Sequence, residues 1–215
     1  MKITPFEYRK PKNLDLLDLS EVDSIALHHM AHMTANIFDV TGWHIDDNKW
    51  SWIGYSYFIT TNGEIFEARG LKYLPAGVKD HNSHIISIGF QGDYNLKFMN
   101  YEQMKAGIDL IRYLKEKLPN IKVVAGHNHW NDTSCPGKNF PMDRILKDVN
   151  TMNKSIDPNF KKCVDLVTKE IGLNSPDFWY KIQTNPDEFM RGLKPEYIQR
   201  LFELTANRFY TLTGV

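Results

Sequence analysis

Two imidazoles and a thiol, far apart in the chain, are the side chains best suited to chemistry. His28 closes a short apolar run from Asp23 to His29. His127 follows the run Ile121 to Ala125 after one glycine, and Cys135 stands eight residues further on. Imidazole nitrogen and thiolate sulfur are donors that zinc prefers, and three protein ligands leave the fourth tetrahedral position for water, as in catalytic sites. Zinc so held lowers the pKa of its water to roughly 7 and polarises a carbonyl, so the set points to hydrolysis. Neighbouring histidines compete for the same role. His29 adjoins His28, and His129 lies two residues beyond His127. Spacing alone leaves those alternatives open.

Such donors must be carried by rigid elements, and the sequence supplies them. Asp23 to His29 reads as a buried strand with polar groups at its tip. From Thr34 to about His44 the pattern turns helical, with Ala35, Ile37, Phe38 and Val40 on the apolar side. Gly54 to Arg69 reads as a hairpin: Tyr55, Tyr57 and Ile59 alternate, Asn62-Gly63 makes the turn, and Ile65 to Ala68 returns. A polar loop from Pro75 to Ser83 leads to another apolar strand, Ile85 to Phe90. Tyr101 to Leu118 is helical by the spacing of Met104, Ile108, Ile111 and Leu114, and Pro119 stops it. Ile121 to Ala125 is a strand, Asn128 to Phe140 a loop, and Pro141 opens a helix through Val149. Strands alternating with helices predict an α/β domain with a mixed central sheet flanked by helices.

That domain is expected to span residues 1–149. The polar segment 150–158 reads as a linker, and 159–215 as a small all-helical domain with helices over Phe160 to Ile171 and Pro195 to Tyr210. Aromatics such as Trp179 and Tyr180 offer that tail either wall contacts or a small helical core; self-association is a third possibility.

Composition mainly excludes. Lysine plus arginine and aspartate plus glutamate number 26 each, so the chain lacks the basic footprint of a nucleic-acid binder. The same balance, with the thiol among the donors, counts against reading His127-Asn128-His129 as part of a metal nuclease. No apolar run reaches membrane-span length, so no membrane partner is expected. The first ten residues lack the apolar core of a secretory signal, and the two cysteines, Cys135 and Cys163, suggest reduced thiols rather than a disulfide framework. The protein is expected to be made in the cytoplasm. Oligomeric state is not legible.

Four ordered strings go further. Ala26-Leu27-His28-His29-Met30-Ala31, Trp52 to Ile59, Asn62 to Gly70, and Gly126-His127 through Thr133-Ser134-Cys135-Pro136-Gly137 together resemble the type-2 N-acetylmuramoyl-L-alanine amidases and the peptidoglycan recognition proteins. Asn82 with Ile85 to Tyr94 is similar to the family's next strand, so the resemblance covers about Ser24 to Val149. It implies zinc held by His28, His127 and Cys135. It implies that Tyr55 lies near the metal-activated water or the substrate carbonyl, and that Thr133 hydrogen-bonds a developing oxyanion. The activity implied is hydrolysis of the amide between N-acetylmuramic acid and L-alanine in bacterial peptidoglycan. A non-catalytic peptidoglycan-binding module is the alternative. Some relatives carry a glutamate base on the strand matching Ile86 to Gly92; this chain has Gly89 and Phe90 there and no acid.

Trp43, Trp50, Trp52 and His44 flank the site in sequence and could offer faces to a sugar, although at least two of the tryptophans are expected in the core. His81 and His84 read as solvated loop residues, and Arg69 as a structural ion pair. Abundant lysine, asparagine and isoleucine suit a low-GC bacterial background. A phage endolysin, released through a membrane pore to reach the wall, is the expected setting.

Overall fold

A computed structural model describes residues 1–150; the linker and the helical C-terminal domain expected beyond them lie outside the described residues. Six strands form one sheet: β1 (Ile3–Pro5), β2 (Ser24–His29), β3 (Tyr57–Ile59), β4 (Ile65–Glu67), β5 (Ile85–Phe90) and β6 (Val123–Gly126). Their order across the sheet is β1-β4-β3-β5-β2-β6. The hairpin pair β3 and β4 is antiparallel and every other pairing is parallel, so the sheet is mixed as expected.

Side-chain alternation along β2 and β5 divides two layers. Ile25, Leu27, Ile86, Ile88 and Phe90 join a core cluster with Ile108, Ile111 and Leu114 of helix α2 (Tyr101–Lys117) and Ile145 of helix α3 (Met142–Asn150). The opposite face is shared by Ala26 and Ile85, beside Val78, and by Phe58 with Ile37 and Val40 of helix α1 (Ile37–Gly42). Burial of both faces, at roughly 25 cal/mol per Å² of apolar surface, favours apolar residues on the central parallel strands. The polar residues on these strands therefore stand out.

Several boundaries differ from expectation; β6, for one, begins at Val123 and not at Ile121. α1 begins at Ile37, because Asn36 caps it: its side chain accepts from the Phe38 and Asp39 N–H groups while Asp39 accepts from the Asn36 N–H. The helix then passes into a five-residue π-helical turn, Trp43–Asp47, that carries His44. β1 has no counterpart in the pattern reading. It is three residues long and ends in proline, which only an edge position tolerates. β3 starts at Tyr57, so Tyr55 escapes the alternation and lies on the α1 face while Tyr57 and Ile59 face α2. No helix among the described residues is long and apolar enough to cross a membrane.

Candidate metal centre

The sheet order brings the distant donors together. β2 lies between β5 and β6, with Leu27 paired to Gly126. The next residue on each strand path is His28 and His127, so two imidazoles 99 positions apart emerge side by side, ring centroids 4.6 Å apart. The loop after β6 then folds back on itself. The Asn128 N–H donates to the Cys135 carbonyl at 2.9 Å, and Gly126 leaves room for Pro136, whose Cδ would stand 2.5 Å from a β-carbon there. This return puts Cys135 Sγ 3.8 Å from His28 Nδ1.

The donor atoms of His28, His127 and Cys135 all lie within 4.8 Å of one another. Zinc–nitrogen and zinc–sulfur bonds of about 2.0 and 2.3 Å in a tetrahedron separate donors by roughly 3.3–3.6 Å, so a small contraction closes the set on one ion. Two imidazoles and one thiol are the soft, mixed donor set that zinc favours. The residues fit the metal.

Electrostatics agree. His28 is 2% exposed, and burial, with the nearby His127, His29 and His44 rings, holds its pKa well below the ordinary value. Burial likewise lowers His127, partly offset by its hydrogen bond to Asn131. Both are neutral at pH 7 and offer lone pairs. Burial pushes the Cys135 thiol up to about 11 against the pull of the His29 N–H, so a cation is needed to draw off its proton. His127 Nε2 meets Asn131 Oδ1 at 2.9 Å, which fixes the proton there and frees Nδ1.

Tyr55 borders this set, its ring centroid 5.4 Å from that of His28. Gly89, paired across from His28, makes room for it: a β-carbon at 89 would lie 2.5 Å from Tyr55 Cδ2. Position 89 thus has no space for a side chain while Tyr55 keeps this place. Burial raises the Tyr55 pKa, so its hydroxyl stays protonated and a donor. The Thr133 hydroxyl accepts the Cys135 N–H at 3.2 Å, which leaves its own proton to give.

The alternative ligands point elsewhere. His29 faces the other side of β2, where Nδ1 accepts the Tyr94 N–H at 3.1 Å and lies 3.5 Å from Asp93 Oδ1. His129 lies edge-on to Trp130. Of Trp43, Trp50 and Trp52, Trp52 alone is core, fully buried with Nε1–H donating to the Tyr8 carbonyl; Trp43 and Trp50 are each 37% exposed. The expectation of two core tryptophans among these three fails: Trp43 opens the π-helical turn, Trp50 follows it, and both stay exposed. His81 and His84 are not simply solvated. They meet at 3.2 Å, and His84 Nδ1 reaches Asp23 at 2.9 Å, at the end of the sheet away from His28. Arg69 forms no ion pair with the described residues. Buried at 5% exposure, it donates to the carbonyls of Ile53, Leu74 and Trp52 and to Ser51 Oγ, tying down the segment that leads into Tyr55. Burial lowers its pKa to about 10.

Pattern reading did not single out Asn131 or assign His44 a partner. Asn131 follows His127 by four, a helical-turn spacing that was legible. His44 Nδ1 accepts the Gly54 N–H at 3.0 Å and its ring lies 4.6 Å from Trp50 and 5.5 Å from Tyr55. Burial takes its pKa down to about 4, so it is neutral with Nε2–H as donor beside the site.

The sequence profile described as N-acetylmuramoyl-L-alanine amidase matches residues 18–138. Peptidoglycan-recognition protein SC2 of Drosophila melanogaster is 29% identical over 47% of this chain and 56% of its own length. N-acetylmuramoyl-L-alanine amidase of Sus scrofa is 27% identical over 48% of this chain and 18% of its own. This chain thus spans about half the length, or less, of those curated relatives. Among solved structures, N-acetylmuramoyl-L-alanine amidase LysC from Clostridium intestinale superposes with a TM-score of 0.63 at 27% identity, covering 70% of this chain and 99% of that one.

Proposed function

The chain belongs to the N-acetylmuramoyl-L-alanine amidase family, and from that premise we propose that it is a zinc-dependent hydrolase of the amide joining N-acetylmuramic acid to L-alanine in bacterial peptidoglycan. The observation that carries the proposal is the convergence of His28, His127 and Cys135 donor atoms within 4.8 Å. Zinc held by these three would supply a Lewis acid that activates water at neutral pH and polarises the scissile carbonyl. The chain's own groups do the rest. Tyr55, kept protonated by burial, donates to the oxygen on which charge develops, and Thr133 donates to the same oxygen. The half-exposed rings of Trp43 and Trp50 offer flat apolar faces to the sugar beside the reacting bond.

The likeness to the Clostridium intestinale amidase supports a wall-lysing, endolysin-type setting, with peptidoglycan as the partner. Residues 159–215 would then act as a wall-targeting module. A reading as a peptidoglycan-binding module without catalysis draws on the likeness to a peptidoglycan-recognition protein. One experiment separates them. Purified cell walls are incubated with the zinc-loaded protein and with protein stripped by chelator, and new amino termini are identified. New alanine amino termini that appear only with metal support the amidase; wall binding with no new termini overturns it.

A further inference from the structure

His127 has Asn131 to hold its outer nitrogen, but His28 has no such partner. Among the described residues, the buried side-chain polar atoms without a hydrogen bond are His28 Nε2 and Ser87 Oγ. They are neighbours. Ala26 pairs with Ser87 and His28 with Gly89 across β2 and β5, so His28 and Ser87 lie on the same face of adjacent strands. Both border Gly77: a β-carbon there would stand 2.6 Å from Ser87 Oγ and 3.2 Å from His28 Nε2. Ser87 is also the one hydroxyl in the run Ile85-Ile86-Ser87-Ile88-Gly89-Phe90, on a strand that is otherwise apolar or glycine and buried throughout.

The chemistry of the imidazole supplies the reason. His28 Nδ1 faces Cys135 Sγ, so that nitrogen must offer its lone pair to an ion. A neutral imidazole then carries its proton on Nε2, and a buried N–H without an acceptor is costly. We propose that Ser87 is a positioning residue of the metal centre, its hydroxyl accepting the His28 Nε2 proton and so fixing the ring in the tautomer that presents Nδ1. Gly77, which both atoms border, keeps that space free of a side chain. Ser87 thereby does for His28 what Asn131 does for His127. The inference rests on the zinc reading of the site, but it concerns the tautomer of one ring and is measured without activity.

The test uses the full chain, ¹⁵N-labelled, with and without zinc. Long-range ¹H–¹⁵N spectra are expected to show His28 protonated on Nε2 in both states, with that proton shifted downfield and slow to exchange. Ser87→Ala is expected to lose the shift and to weaken zinc binding, measured by competition with a chromophoric chelator, about 10- to 100-fold. Ser87→Thr, which keeps the hydroxyl, is expected to retain the protected proton. Wild-type zinc affinity in Ser87→Ala would overturn the inference. Should that variant not fold, the wild-type spectrum decides: a His28 protonated on Nδ1, or an Nε2 proton in fast exchange, overturns it. A wild-type protein that binds no zinc sinks the functional reading, while the zinc-free spectrum still judges the pairing of His28 with Ser87.

Discussion

The ring of Tyr55 occupies the space that a side chain on Gly89 would need, and this close approach sets how the site can work. Tyr55 is held from behind as well: Arg69 clamps the preceding segment and His44 bonds the Gly54 N–H. Gly89→Glu would place an acid beside the candidate metal site, yet it must displace the Tyr55 ring. The expected outcome is unchanged zinc content and at least a hundredfold loss of wall hydrolysis, the usual effect of removing one oxyanion donor. Elemental analysis beside the amino-terminus assay reads both. Activity equal to wild type would mean that Tyr55 is dispensable.

Cys135→Ser removes the one ligand able to carry a negative charge. Zinc content and hydrolysis are expected to fall together to background, with the far-ultraviolet circular dichroism of the apoprotein unchanged. Persistent lysis by metal-free protein would refute the metal mechanism.

Asn131 fixes the His127 ring through Nε2, so Asn131→Ala is expected to weaken zinc binding by roughly 10- to 100-fold. Chelator competition measures it. A loss confined to substrate turnover, with affinity intact, would place Asn131 in substrate contact instead.

Removing the Arg69 side chain leaves several buried carbonyls without a donor. At about 1–3 kcal/mol for each buried acceptor stranded, Arg69→Met is expected to cost at least about 2 kcal/mol of stability. Urea unfolding of the apoprotein checks this. An effect below about 0.5 kcal/mol would show that the clamp is not structural.

Proton release distinguishes the ligands. Burial lowers the pKa of His28 and His127 and so favours their neutral forms around neutrality, whereas the Cys135 thiol, at about 11, is protonated. Zinc binding should therefore expel one proton from the ligands, and apparent affinity should rise about tenfold per pH unit as pH increases towards the thiol value. Calorimetry in buffers of different ionisation enthalpy, at the acidic side of neutrality to keep any bound water protonated, counts the protons. Two or more would mean that a histidine enters charged.

Much of this was legible in the sequence because it is carried by period and punctuation. The apolar runs that became β2 and β5, the Asn62-Gly63 turn and the spacing of α2 each specify an element locally. His28, His127 and Cys135 were nominated by donor type and selected over His29 and His129 by family resemblance. Strand alternation then gives the physical reason for the first choice, since adjacent residues on β2 face opposite layers. What was not legible depends on contacts between distant segments. Arg69 looked like half of an ion pair because sequence cannot show that the carbonyls of Ile53 and Leu74 converge on it. His84 looked solvated because Asp23, its partner, lies 61 positions earlier. β1 was missed because three residues ending in proline acquire strand character only from the edge of β4.

The pairing of Leu27 with Gly126 has a practical corollary. Two of the three donors are anchored to neighbouring strands inside a hydrophobic core that owes nothing to the ion, unlike a zinc finger, whose chain is unfolded until metal arrives. The emptied protein should consequently persist as a stable, refillable vessel. Cobalt could be exchanged into it as a coloured reporter, and the proposed hydrolysis could be halted and restarted by dialysis without a refolding step.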